Sequence, residues 1–484
     1  MKLVKDYYLY VCIAIFALVL RLINLASPKA FIMDEAYYVP DSISLLKNGY
    51  EAKIASGLSK DQVLNKVLDN DYSFFDLSGY GATHPPLGKM MISIGMIFFG
   101  TSNPVGWRLA SVIAGTVIVI ATMALAYIVF RNKSISLIAG AMVAIDPMAI
   151  AMSKTAHLDI FLAMFAIVGF TFLAVYVKNR LDNISYPIFK SVWLFLGFVS
   201  LGLATAVKWS GLYFVFFGII VFVGFNLYIS LKHPKTINII KLSIEVTLLG
   251  FVSLLVYLLS WIPWLFTIGK NINPIVSLQS LLGKHVALYY ANVNLTEKHN
   301  YNSNAFEWVL QAKPTLLYYK EVTDSSIISV SSLPNLLLWV GSIVALVVTV
   351  IFLVRRVINN KIVYIIFAAI LAGWLPWMIS YGRTIFQFYT VVFEPYLYIL
   401  LAFVLYVAWI KVNMREKKIN ILRMFLLIFI FVSVVFSFRV YSGSVGIEES
   451  KSNGSYSIFT QWQHFTKDAH IYDINQMPEE TIKQ

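Results

Sequence analysis

Two adjacent carboxylates, Asp34 and Glu35, stand a few residues beyond the first long apolar run of this chain. An acidic pair at a membrane surface is a candidate general base, able to take the proton from an attacking hydroxyl. The pair alone has a simpler reading: a helix start in which negative charge meets the positive end of the dipole. Further along, His84-Pro85-Pro86-Leu87-Gly88-Lys89 joins an imidazole, two prolines that fix an extended backbone, and a lysine in the first turn of the following helix. A cation there opposes the dipole, which makes sense if an anion docks or if Lys89 reaches lipid headgroups. The surrounding GATHPPLGK is not a phosphate loop, because the spacing differs and no Ser or Thr follows the lysine. Arg108, Lys154, Asp159, Lys208 and Arg383 stand at the ends of apolar runs. Each alone fits a snorkelling or paired residue at a helix end. Together they gather cations where a site for a phosphate or other anion would account for them. Asp69-Asn70-Asp71 has the form of a metal-binding D-x-D triplet, but no nucleotide-binding strand–helix pattern surrounds it, and it reads as a turn.

The elements that position these residues are membrane spans. Hydrophobic residues make up 59% of the 484 and charged residues only 13%, against about 25% in an average soluble domain. Apolar runs long enough to cross about 30 Å of hydrocarbon recur at about 7–26, 106–130, 134–153, 157–177, 189–207, 209–230, 242–264, 335–354, 362–380, 384–410 and 420–440. More spans follow the first, which lacks a small-residue cleavage site after Ala26, so it reads as a retained span rather than a signal peptide. Eleven spans place Lys2 and Lys5, Arg131 and Lys133, Lys178 and Arg180, Lys232 and Lys235, Arg355 and Arg356, and the Arg415–Lys418 cluster on one side, which the positive-inside rule makes cytoplasmic. The loops at about 27–105 and 265–334 and the tail 441–484 then lie outside. Residues 87–100 reach only about 21 Å as a helix and are expected at the outer interface, with a second such helix over 41–57. The net charge of +13 thus belongs to membrane loops, with a bilayer and not a nucleic acid as partner. A single cysteine, Cys12 in the first run, supports neither a disulfide framework nor a thiolate metal site.

In this order the motifs resemble the polyprenyl-phosphate-mannose–protein mannosyltransferase family, protein O-mannosyltransferases of the GT-C fold. MDEAYY at 33–38 looks like the family's acidic motif, and HPPLGK at 84–89 like its most specific one. WRLASVIAG at 107–115, SKTAHLDIFLAMF at 153–165, GLATAVKWSGLY at 202–213 and GRTIFQFYTVVFEPY at 382–396 are similar to further family segments. Lys154 stands where the family usually has Arg, and Gln387-Phe388-Tyr389 where many members have a His-Tyr pair. The 265–334 loop is too short for the β-trefoil insertion of eukaryotic members, so the resemblance is to a prokaryotic one.

The resemblance implies an all-α membrane enzyme, with a catalytic domain over 1–440 and an extracytoplasmic tail over 441–484. It implies transfer of mannose, with inversion, from polyprenyl-phosphate-mannose to Ser or Thr hydroxyls of secreted or membrane proteins, at the outer face of the plasma membrane. In that chemistry Asp34 is the base and Glu35 orients it or the acceptor. Arg108, then Lys89, faces the leaving phosphate, and His84, Pro85, Lys154, Asp159, Lys208 and Arg383 contact substrate. The leaving phosphate monoester has a second pKa of about 6 and departs without a proton, so no general acid, metal or cofactor is expected. Two alternatives stand beside this reading. One is a GT-C transferase moving another polyprenyl-linked sugar to a lipid or glycan. The other is a transporter or flippase, which would want ionisable residues or broken helices near the midplane.

Overall fold

The computed structural model describes residues 2–81, 84–183, 191–233, 238–268, 274–296, 299–380, 382–411 and 416–466. Lys235, Arg415 and the end of the tail lie outside them. A first helix, α1 (Lys2–Leu22), leads into a layer of short elements: α2 (Glu35–Asn48), β1 (Ala52–Ile54), α3 (Lys60–Leu68), β2 (Phe75–Tyr80) and α4 (Leu87–Phe99). The helix expected over 41–57 starts earlier and stops at Gly49, whose φ of +76° closes α2. At that position a Cβ would also fall 2.0 Å from the Thr267 hydroxyl, so glycine is required for both space and angle. Asp69-Asn70-Asp71 forms the turn after α3, with Asn70 at φ +56°.

The helical bundle follows. α5 (Pro104–Phe130) starts at an Asn103 cap with proline in its first turn, and α6 (Lys133–Ile145) starts at an Asn132 cap. α7 (Pro147–Ser153), α8 (Leu158–Asp182), α9 (Val192–Val207), α10 (Gly211–Lys232) and α11 (Ile239–Leu259) complete the first half. α12 (Ile262–Ile268), α13 (Pro274–Val293), β3 (Leu316–Thr323) and β4 (Ser326–Ser331) fill the second outer loop. α14 (Leu336–Val354), α15 (Val363–Met378), α16 (Glu394–Lys411) and α17 (Glu416–Val440) close the bundle, and α18 (Ser442–Val445), β5 (Glu448–Ser450) and α19 (Ser455–Thr466) follow. β5 pairs with β4, so the segment beyond the last long helix is stitched into the sheet of the second outer loop in the order β3-β4-β5. β1 and β2 pair antiparallel in the first loop.

Among the described residues six helices are long and apolar enough to cross a membrane: α5, α8, α10, α11, α14 and the Ile421–Val440 part of α17. α6 and α7, bent by 63°, make a seventh if they form one broken span. α9 and α15, at 16 residues each, fall short of the usual length, so the count of eleven is not reproduced by length alone. The span expected at 384–410 becomes helical only at Glu394, and residues 387–392 form a buried 3-10 turn.

α5 and α8 sit deepest, with 61% and 72% of their apolar windows buried, whereas α17 is 17% buried and presents apolar side chains nearly all round. The break between α6 and α7 is satisfied from within the protein. Arg21 donates to the carbonyls of Val143 and Ala144 at the end of α6, and Asp146 accepts from the Ala149 amide to cap α7. Asp146 also receives the amide of Asn335 and the hydroxyl of Tyr398, tying α7 to α14 and α16. The polar groups of this broken helix are therefore occupied by caps. α7 in turn leads into the buried turn 154–157, whose Ala156 amide donates to Glu35 of the acidic pair.

Candidate active site

The two carboxylates of the acidic pair have different surroundings. Glu35 is fully buried and receives four hydrogen bonds: from the amides of Ile32 and Ala156, both at 2.9 Å, and from Arg108 at 2.9 and 2.8 Å. Asp34 sits at the N-cap position of α2, where the helix-start reading puts the pair, but makes no side-chain cap bond. Its Oδ2 accepts from the Tyr38 hydroxyl at 3.1 Å, and the side chain remains partly open. Of the two, Asp34 has a carboxylate oxygen to offer.

The cations are also unequal, and three expectations are redirected. All five N–H groups of Arg108 are taken: Nε and one Nη2 hydrogen by Glu35, the rest by the carbonyls of Leu25, Pro28 and Ala30. With no exposure and no spare donor, Arg108 holds the 25–35 turn and leaves nothing for a phosphate. Lys89 is likewise fully buried, 2.7 Å from Glu51 and 3.2 Å from Asp41. Lys284 of α13 joins the same carboxylate at 3.5 Å and donates to the Gly81 carbonyl. Lys89 thus belongs to a buried ion network that fixes the first outer loop against the second. Lys154 donates to the carbonyls of Arg21 and Ile23, capping the end of α1.

Lys208 and Arg383 stand elsewhere. Lys208 is bonded to both oxygens of Asp159 at 2.9 and 3.2 Å, and its Nζ lies 4.3 Å from the Tyr389 ring centre. Arg383 donates to Asn292 at 3.1 Å and lies 5.3 Å above the Trp377 ring. Its Nε is buried with no partner among the described residues. Tyr389 and Trp377, with ring centres 5.2 Å apart, line a small cleft together with Asp159, Ser210 and Tyr213. Asp34 is within electrostatic reach of Lys208 and of Tyr389, so the open carboxylate and this cleft share one region. His84 lies against Tyr38, with ring centres 6.0 Å apart. Burial, then the facing cations Lys208, Lys89 and Arg383, pushes its imidazole well below the ordinary value, so it is neutral at pH 7. Pro85 is buried and Pro86 starts α4 in helical geometry.

Asp34, Asp159, Lys208, Arg383 and His84 thus lie around Tyr38 and Tyr389, while Glu35, Arg108, Lys154 and Lys89 are taken up by buried partners of the surrounding frame. Sequence reasoning did not single out Tyr38, Glu51, Lys284, Tyr213 or Trp377. Tyr38 carried a usable signal, since i and i+4 share a helix face. The Glu51 network joins residues too far apart in the chain to be paired by spacing.

Residues 70–269 match the family model described as dolichyl-phosphate-mannose-protein mannosyltransferase. A protein of Mycolicibacterium smegmatis named polyprenol-phosphate-mannose–protein mannosyltransferase is 28% identical over 448 residues, covering 83% of this chain and 82% of its own. Over these residues the chain is similar to protein mannosyltransferases. A Corynebacterium glutamicum protein of the same name is 26% identical over 448 residues, covering 82% of each chain. The fold is that of GT-C membrane glycosyltransferases. The Saccharomyces cerevisiae protein O-mannosyltransferase Pmt1-Pmt2 complex bound to its sugar donor superposes with a TM-score of 0.63 at 11% identity, covering 91% of this chain and 90% of that one. ArnT from Cupriavidus metallidurans bound to undecaprenyl phosphate gives 0.53 at 13% identity, covering 95% and 76%.

Proposed function

We propose that this protein is a mannosyltransferase that moves mannose from polyprenyl-phosphate-mannose to Ser or Thr hydroxyls of exported proteins at the outer membrane face. The observation that carries the reading is the uncapped Asp34 carboxylate, with an oxygen free of partners among the described residues, near a cleft whose lining residues Asp159, Tyr389 and Trp377 are held by Lys208 and Arg383. The names of the M. smegmatis and C. glutamicum relatives supply the donor and the acceptor class.

In this reading the acceptor oxygen attacks the anomeric carbon from the side opposite the phosphate. The new C–O bond forms as the bond to the phosphate oxygen breaks, which inverts the configuration. The hydroxyl proton passes to Asp34, and the departing phosphate keeps the bonding electron pair. Arg383, whose Nε has no partner among the described residues, faces the growing negative charge, and Lys208 adds its field from the other side. Asp159 keeps Lys208 charged and in place. Tyr389, Trp377 and Tyr213 offer ring faces to the sugar. Arg108 and Glu35 act on the frame: they fix the turn from which Asp34 projects.

The test is transfer by the purified protein from polyprenyl-phosphate-[mannose] to a Ser/Thr peptide. The same polyprenyl phosphate carrying other sugars, and a lipid acceptor in place of the peptide, serve as parallel arms. Mannosylated peptide, undiminished by a metal chelator, is the expected product. Transfer only of another sugar or only to lipid contradicts the substrate assignment, and movement of donor across vesicles without transfer contradicts the reaction.

A further inference from the structure

α2 carries a second functional group one turn beyond Asp34. The side chains of a helix lean toward its N-terminus, so a residue at i+4 covers the turn that begins at i. Tyr38 is placed in this way. Its ring is buried, with 4% exposure, and its hydroxyl reaches back to Oδ2 of Asp34. Among the described residues it is the single group within hydrogen-bond distance of that carboxylate.

We propose that Tyr38 is a positioning residue for the base: its hydroxyl pins Oδ2 of Asp34 and so turns Oδ1 toward the acceptor hydroxyl. The inference rests on the reading of Asp34 as the base. A carboxylate at a helix start ordinarily turns inward to cap free amides. Here Glu35 takes the inward role, through Ile32, Ala156 and Arg108, and the tyrosine holds Asp34 in the outward one. A neutral hydroxyl suits the task, because it stabilises the charged carboxylate without competing with it for a proton. Burial first, and then the negative charge of Asp34, pushes the Tyr38 phenol well above its ordinary value, so it remains a donor over the working pH range.

The other charged or titratable groups that face this pair are His84 ahead of α4, Asp159 at the start of α8, Lys208 at the end of α9, and Tyr389 and Arg383 before α16. A hydrogen bond to the charged form of a carboxylate lowers its pKa, and its removal raises it. Tyr38→Phe keeps the ring and its packing while removing that bond. The expected result is a loss of about 10-fold in kcat, the scale of one hydrogen bond to a charged group. Donor KM should be unchanged, and the acid limb of the pH–rate profile should move to higher pH. In an Asp34→Asn background the same substitution should cost nothing more, because the group it acts through is gone.

An acid limb that stays at the wild-type position while Asp34→Asn is nearly inactive overturns the role of Tyr38 and leaves the base intact. An undiminished further loss from Tyr38→Phe in the Asp34→Asn background does the same. Wild-type transfer by Asp34→Asn itself removes the base, and this inference with it. Melting temperatures of all three variants separate these outcomes from misfolding.

Discussion

Arginines 108 and 383 carry the same charge and have opposite availability. Arg108 donates to five oxygens of its own protein, so its loss strands the Glu35 carboxylate in a closed site. Removing one partner of a buried ion pair costs about 3–5 kcal/mol. Arg108→Ala should therefore lower the unfolding temperature in detergent markedly, with activity falling as the protein unfolds. Arg383 is bonded to Asn292 and otherwise lies over a ring at the cleft. Arg383→Ala should leave the melting temperature near wild type and raise the donor concentration needed for half-maximal transfer about 10-fold or more, the scale of one charge-assisted bond. Thermal melts beside donor titrations decide the matter; a stable Arg108→Ala protein with weakened donor use would reverse the two assignments.

At the scale of elements, Glu51 joins parts of the chain that the fold could otherwise leave loose. It follows α2 and forms ion pairs with Lys89 of α4 and Lys284 of α13, and all three are without exposure. Glu51→Gln should leave two lysines facing Asp41 alone, destabilising the outer layer by about 3–5 kcal/mol. Limited proteolysis of the outer loops would report it as faster cleavage in 262–293, and an unchanged digestion pattern would contradict the bracing role.

The elements were unequally legible in the sequence. Long apolar runs announce membrane helices because hydrocarbon leaves no alternative for the backbone. The acidic pair announces itself by its position after the first span. Which cation serves chemistry and which serves the frame was not legible, because Arg108 and Lys89 are recognised by partners far away in the chain. Charge at a helix end looks the same whether it meets a substrate or a buried carboxylate. The bend at Asp146 was hidden for a related reason: residues 134–153 read as one apolar run, while Arg21 and Asp146 cap the break from outside and inside it.

For the whole molecule, the account requires the layer formed by α2, α4, α13 and the β3-β4-β5 sheet to face away from the cytoplasm. In a Cys12→Ser background, Ser56→Cys, at an exposed position beyond β1, should react with a membrane-impermeant thiol reagent added outside intact cells. Labelling only after the cytoplasmic side is opened would invert the topology and remove exported proteins as acceptors. Arg108, Lys154 and Glu35 together hold the turn that carries the Asp34 carboxylate.

The most direct test of that claim is transfer by Asp34→Asn, which preserves shape and one hydrogen-bond acceptor while removing the basic oxygen. The variant should be a folded protein, with donor binding unchanged and transfer reduced by about 100- to 10,000-fold, the usual contribution of a positioned base. Glu35→Gln should instead lower the melting temperature, since Glu35 is held by Arg108 and two amides. Transfer by Asp34→Asn at the wild-type rate would contradict the account.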